Sequence, residues 1–99
     1  MPANAKTLKA AFHRFVELVK PIEDVECVAA FDDGEVDVFT YIKQLDSVVM
    51  RQIFRQEDRI LIDFPDCPID FHVVFLEGRP LENFVKPLPP LVFVRRHDG

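Results

Sequence analysis

The sequence predicts an α+β domain in the order helix, strand, strand, helix, strand, followed by a Pro-rich C-terminal arm. Three observations carry that reading. Leu8, Phe12, Phe15 and Val19 recur at spacings of four, three and four, which is one face of a helix. Residues 25–42, VECVAAFDDGEVDVFTYI, form two alternating runs around Asp33-Gly34, the pattern of a β-hairpin. A second helical stripe, Val49, Ile53, Ile60 and Phe64, leads into another alternating run, IDFHVVFL.

The first helix is expected from Ala5 to Lys20. Asn4 is placed as its N-cap, and Pro21 ends it by forcing Lys20 out of the α region. Ala11, Val16 and Leu18 widen the apolar stripe, and His13 falls at its edge as a surface histidine. The hairpin strands are expected at Val25–Phe31 and Val36–Ile42. A two-residue type I′ turn at Asp33-Gly34 sets Phe31 opposite Val36, Ala29 opposite Val38, Cys27 opposite Thr40 and Val25 opposite Ile42. That register gives one nearly all-apolar face and pairs Ala30 with Asp37. A three-residue loop at Asp32-Asp33-Gly34 would set Ala29 against Asp37 and lose it. In the preferred register Cys27 and Ala29 are small residues beneath the first helix, where Phe12 and Phe15 supply the bulk.

The second helix is expected from Ser47 to Phe64, capped by Asp46, with its stripe interrupted at Gln56 and Glu57. Arg51, Arg55, Glu57, Asp58 and Arg59 read as a solvated outer face. The third strand, Ile69–Leu76, turns Ile69, Phe71, Val73 and Phe75 to the helices and Asp70, His72 and Val74 to the other side. Glu77-Gly78-Arg79-Pro80 is a turn, with Pro80 opening a short helix over Leu81–Val85. Pro87, Pro89 and Pro90 make residues 86–99 an extended arm and tail, and Leu91–Val94 within it is strand-like.

The whole chain, 1–99, reads as one domain with a three- or four-stranded, mainly antiparallel sheet. Both helices lie on one face. The crossover through the second helix makes the second and third strands parallel. The first strand is placed between them, order 2-1-3, because Glu35, Asp37 and Lys43 give the second strand the polarity of an edge. The expected core is Phe12, Phe15, Cys27, Ala29, Val38, Ile53, Ile60, Phe71 and Val73.

Composition narrows the function classes. A net charge of −5 with one basic pair, Arg95-Arg96, argues against a nucleic-acid partner, which needs Lys and Arg for phosphate. No apolar run approaches the roughly 20 residues of a membrane span, and Lys9, His13 and Arg14 interrupt any N-terminal leader pattern. A cytoplasmic protein is expected, with Cys27 and Cys67 as free thiols. No cofactor is expected, since there is neither a Gly-rich phosphate loop nor a zinc-ligand spacing.

Two functional readings follow. The first is a non-catalytic module that forms a homodimer or binds a protein partner. Its interface would be the sheet face away from the helices, at Val28, Phe39, Tyr41 and Val74, and the arm, at Leu91 and Phe93. The second is a divalent-metal-dependent enzyme of the phosphoryl- or nucleotidyl-transfer kind. Asp37, Asp70 and His72 would act there, with Glu35 as a further metal ligand. In the 2-1-3 order these groups converge over Ala30 across two strand spacings, about 9.6 Å. The segments GEVDVF and PIDFHV resemble the acid-bearing strands of minimal nucleotidyltransferases. The Gly-Ser motif which that family places before its acid pair is missing, and Ala30-Phe31-Asp32-Asp33-Gly34 stands there instead. The non-catalytic reading is the preferred one.

Overall fold

The structure is a computed structural model that describes residues 5–85 and 91–96. It is an α+β fold: α1 (Ala5–Val19), β1 (Val25–Asp32), β2 (Val36–Ile42), α2 (Ser47–Asp63), β3 (Ile69–Phe75), a 3-10 turn (Leu81–Asn83) and β4 (Leu91–Val94). The expected cap at Asn4 and the prolines at 87, 89 and 90 lie outside the described residues. Among the described residues no helix is long and apolar enough to cross a membrane.

The four strands form one mixed sheet in the order β3-β2-β1-β4. β2 and β3 are parallel, as the crossover through α2 requires, but they are direct neighbours. The expected order 2-1-3 is therefore corrected: β2 is central and β4 takes the outer side of β1. The acids that suggested an edge explain the error. Glu35 lies in the turn, Lys43 lies beyond the strand, and Asp37 occupies only its second position. Val38, Thr40, Tyr41 and Ile42 are buried, which is the signature of a central strand. Within the arm, Leu91–Val94 is a strand of its own chain's sheet, with Leu91 opposite Ala30 and Phe93 opposite Val28.

The hairpin register also differs from expectation by one residue. Asp32 faces Val36, Phe31 faces Asp37, Ala30 faces Val38 and Ala29 faces Phe39. The turn thus has three residues, Asp33, Gly34 and Glu35. A type I′ turn needs φ > 0 at both central residues, whereas here Gly34 has φ of 90° and Asp33 is not positive. A register shift between Val25 and Cys27 then restores the expected pairing of Val25 with Ile42.

The slip exchanges the faces of β1. Val28 and Ala30 lie beneath the helices with Val38 and Ile42, while Cys27 and Ala29 lie on the opposite face with Tyr41. The small residue under the aromatic rings is therefore Ala30, not Cys27 or Ala29. The main core gathers Leu8, Ala11, Phe12, Phe15, Val16 and Val19 of α1 with Ile53 and Ile60 of α2. Phe15 is 1% exposed and meets Phe71 at a ring separation of 5.1 Å. Phe71 and Val73 are only half-buried, because β3 is an edge and its outer flank is open.

Local chemistry fixes the ends. Asp46 caps α2, its carboxylate accepting from the N–H groups of Val48 at 2.9 Å and Val49 at 3.2 Å. Glu77 and Gly78 take positive φ in the turn after β3. Pro80 is the extended N-cap of a short 3-10 helix, so the helix expected over Leu81–Val85 is three residues long, Leu81–Asn83. Arg95, expected in a polar tail, ties β4 to the α1–β1 connection. Its Nε donates to Val25 O at 2.7 Å and its Nη2 to Lys20 O at 2.6 Å and Ile22 O at 3.1 Å.

Candidate functional site

The face of the sheet away from the helices is built row by row from the register. Tyr41 stands between Val74 and Cys27, which is followed by Val94. In the next row Phe39 stands between His72 and Ala29, which is followed by Val92; then come Asp70, Asp37 and Phe31. The chain covers one end of this face itself. Leu81, Phe84 and Val85 pack on Cys27, Ala29, Tyr41 and Leu76, and Arg79 lies 4.9 Å from the Phe84 ring centre. Burial pushes the Cys27 thiol up to about 12, which removes it as a thiolate nucleophile.

Among the described residues the other end is left open. Phe31 meets Phe39 edge-on at 5.6 Å, and His72 stacks on Phe39 at 4.6 Å with 17° between the planes. Phe31 and Phe39 are half-buried and Val92 beside them is 40% exposed, while Val74, half-buried, and Val94, 51% exposed, flank the row of Tyr41. Of the residues expected at an interface, Phe39 and Val74 are on this surface. Tyr41 is on this face but buried under Phe84. Val28 faces the helices at 0% exposure, and Leu91 and Phe93 pack against the main core. The slip in the hairpin and the pairing of β4 with β1 put them there. Val92 and Val94 are the outward residues of β4; alternation along that strand, once paired, identifies them.

The expected acidic group is divided between two places. Asp37 Oδ1 and His72 Nε2 bond directly at 2.9 Å on the open face. Asp70 is the neighbour of Asp37 across the β2–β3 pair, one strand spacing away and not two. Ala30 does not lie between them, since it faces the helices. Glu35, in the turn, lines a cavity of about 500 Å³ with Asp32, Val36, Leu61, Pro68, Ile69 and Asp70. Among the described residues no three His, Cys, Asp or Glu side chains are grouped to hold a metal ion.

A titratable group outside the expected set is Glu57. Gln56 and Glu57 interrupt the apolar stripe of α2, and each carries a buried oxygen without a hydrogen-bond partner. Burial pushes the Glu57 carboxyl up to about 7, Asp58 adds to the rise and His72 opposes it. The break in the stripe was its only sign in the sequence. Compared with known proteins, the chain matches no family model, no curated sequence and no solved structure.

Proposed function

We propose that this chain is a non-catalytic association module that forms a homodimer. The observation that carries the reading is the open end of the second sheet face. There Phe31 and Phe39 stand half-exposed, and Val92 is exposed on β4 beside them. Covering such apolar surface is worth roughly 25 cal/mol per Å², and the usual cover is a protein surface. Asp37 and His72 at the margin supply the polar rim that protein interfaces have. Closed two-fold pairing buries a surface of this kind without leaving a further one exposed.

Light scattering on the purified chain tests the proposal, with a dimer expected. A monomer at high protein concentration would overturn it. The rival phosphoryl-transfer reading has its own signature. It requires a rise in melting temperature with magnesium or manganese that Asp37→Asn abolishes.

A further inference from the structure

We infer that β3 pairs edge to edge with β3 of a second copy, antiparallel and centred on Phe71, joining two four-stranded sheets into one. This rests on the self-association reading above and adds a second contact surface to it, the β3 edge, with the open face of Phe31 and Phe39 left on one side of the joined sheet.

The backbone fixes which groups are free. Leu76 N–H donates to Ile42 O at 2.9 Å, which sets the phase of the parallel β2–β3 ladder. Every second residue of such a strand turns both its N–H and its C=O to the same side. Those of Ile69, Phe71, Val73 and Phe75 therefore point away from β2, into the open edge. Arg79 Nη2 already caps the Phe75 carbonyl at 2.9 Å. Among the described residues the free run is then Ile69, Phe71 and Val73, and its midpoint is Phe71. Unpaired edge groups of this kind are a template for another strand. IDFHVVF has no Pro, Lys or bulge to protect it.

The side chains single out a second copy as the occupant. A two-fold axis at Phe71 sets Ile69 opposite the partner's Val73. It also sets Asp70 opposite the partner's His72, twice by symmetry. These Asp–His positions are the non-hydrogen-bonded ones, where side chains across an antiparallel pair come closest. Asp70 and His72 are both exposed and so available. Asp37 holds Nε2 of His72, and in the imidazolium form the Nδ1–H is left to donate to the partner's Asp70. The strand is thus complementary to itself in charge and in hydrogen bonding.

The helix beside the edge agrees. Met50, Phe54, Glu57 and Leu61 recur at spacings of four, three and four along α2. Phe54 and Leu61 are 45% and 43% exposed, and Leu61 shares a cavity wall with Ile69 and Asp70. This flank of α2 borders β3. Running the sheet on through β3 brings the same flank of a second copy against it.

Cysteine cross-linking tests the pairing and its register. Asp70→Cys and His72→Cys are made separately, and both native cysteines are buried. Each variant alone, and the two mixed, are treated with a mild thiol oxidant. The expected result is a covalent dimer in the mixture and little in either variant alone. Cross-linking of His72→Cys alone would place the axis at His72 and overturn the register inferred. No cross-link from a chain that is dimeric by light scattering would overturn the β3 junction and leave self-association standing. A monomeric wild-type chain would overturn both.

Discussion

Ala29 and Phe39 stand opposite each other across the β1–β2 ladder, on the face of the sheet turned away from the helices. That pairing follows from a three-residue turn in which Gly34 alone has positive φ. Nothing lies within 4 Å of a Cβ built at Gly34, so a substitution there meets backbone strain and no clash. Gly34→Val should cost about 1–2 kcal/mol. Chemical denaturation measures it, and a loss near zero would mean that the turn relaxes at no cost.

Phe15 lies at the junction of α1 with the sheet, 1% exposed and against Phe71. Phe15→Ala should destabilise by about 3–5 kcal/mol. Phe71→Ala should cost less, because its outer side is open at the sheet edge. Equilibrium unfolding of the two variants under one condition gives the comparison. Equal losses would place Phe71 as deep in the core as Phe15.

Arg95 holds three backbone carbonyls at once, those of Lys20, Ile22 and Val25. Arg95→Ala removes this donor from all three, leaving Ile22 O with the Val25 N–H alone, and should cost about 1–3 kcal/mol. Arg95→Lys should recover only part, since an ammonium cannot reproduce the guanidinium fork. Full rescue by Lys, read by thermal or chemical unfolding, would contradict the role given to the fork.

Glu57 links stability to pH. Its carboxyl is raised from 4.5 to about 7, so between those values the folded chain binds more protons than the unfolded one. Stability from this group is full at low pH and is lost as pH rises through 7. Glu57→Gln should flatten that dependence and stabilise the protein above pH 7. The gain should be on the order of 1 kcal/mol, since the side chain is part-exposed and solvent screens it. Unfolding midpoints well below and well above pH 7 give the answer. A variant that keeps the wild-type slope would assign the dependence to another group.

Much of the fold was legible in local pattern. The helical stripe of Leu8, Phe12, Phe15 and Val19, the Asp46 cap and the alternation of β3 all stand where spacing and side-chain chemistry put them. The hairpin was legible in place but not in register. Both faces of β1 are apolar, Cys27 and Ala29 on one and Val28 and Ala30 on the other, so the pattern accepts either. The register shift between Val25 and Cys27 has no local signature. Strand order was misread because charges flanking β2 look the same as charges within it. Arg95 was hidden for another reason: its acceptors are backbone carbonyls 70 or more residues away, which carry no sequence signal.

The acidic site was legible as a set of residues but not as an arrangement. Asp37 and His72 are brought together, and Asp70, beside Asp37 in the ladder, also lines the cavity that Glu35 lines. Which groups meet depends on strand order, the quantity that local pattern determines least. The open edge of β3 stands in either order, since 2-1-3 also leaves β3 outermost; the order changes only its neighbour, which is β2 and not β1.

Self-association is tested most directly by the melting temperature as a function of protein concentration. A dimer that dissociates on unfolding gains stability by mass action, so its melting temperature rises with concentration. Across a wide dilution series the account predicts that rise, together with a mass at the concentrated end of twice 11.5 kDa. A melting temperature independent of concentration, with a mass of 11.5 kDa throughout, would contradict it.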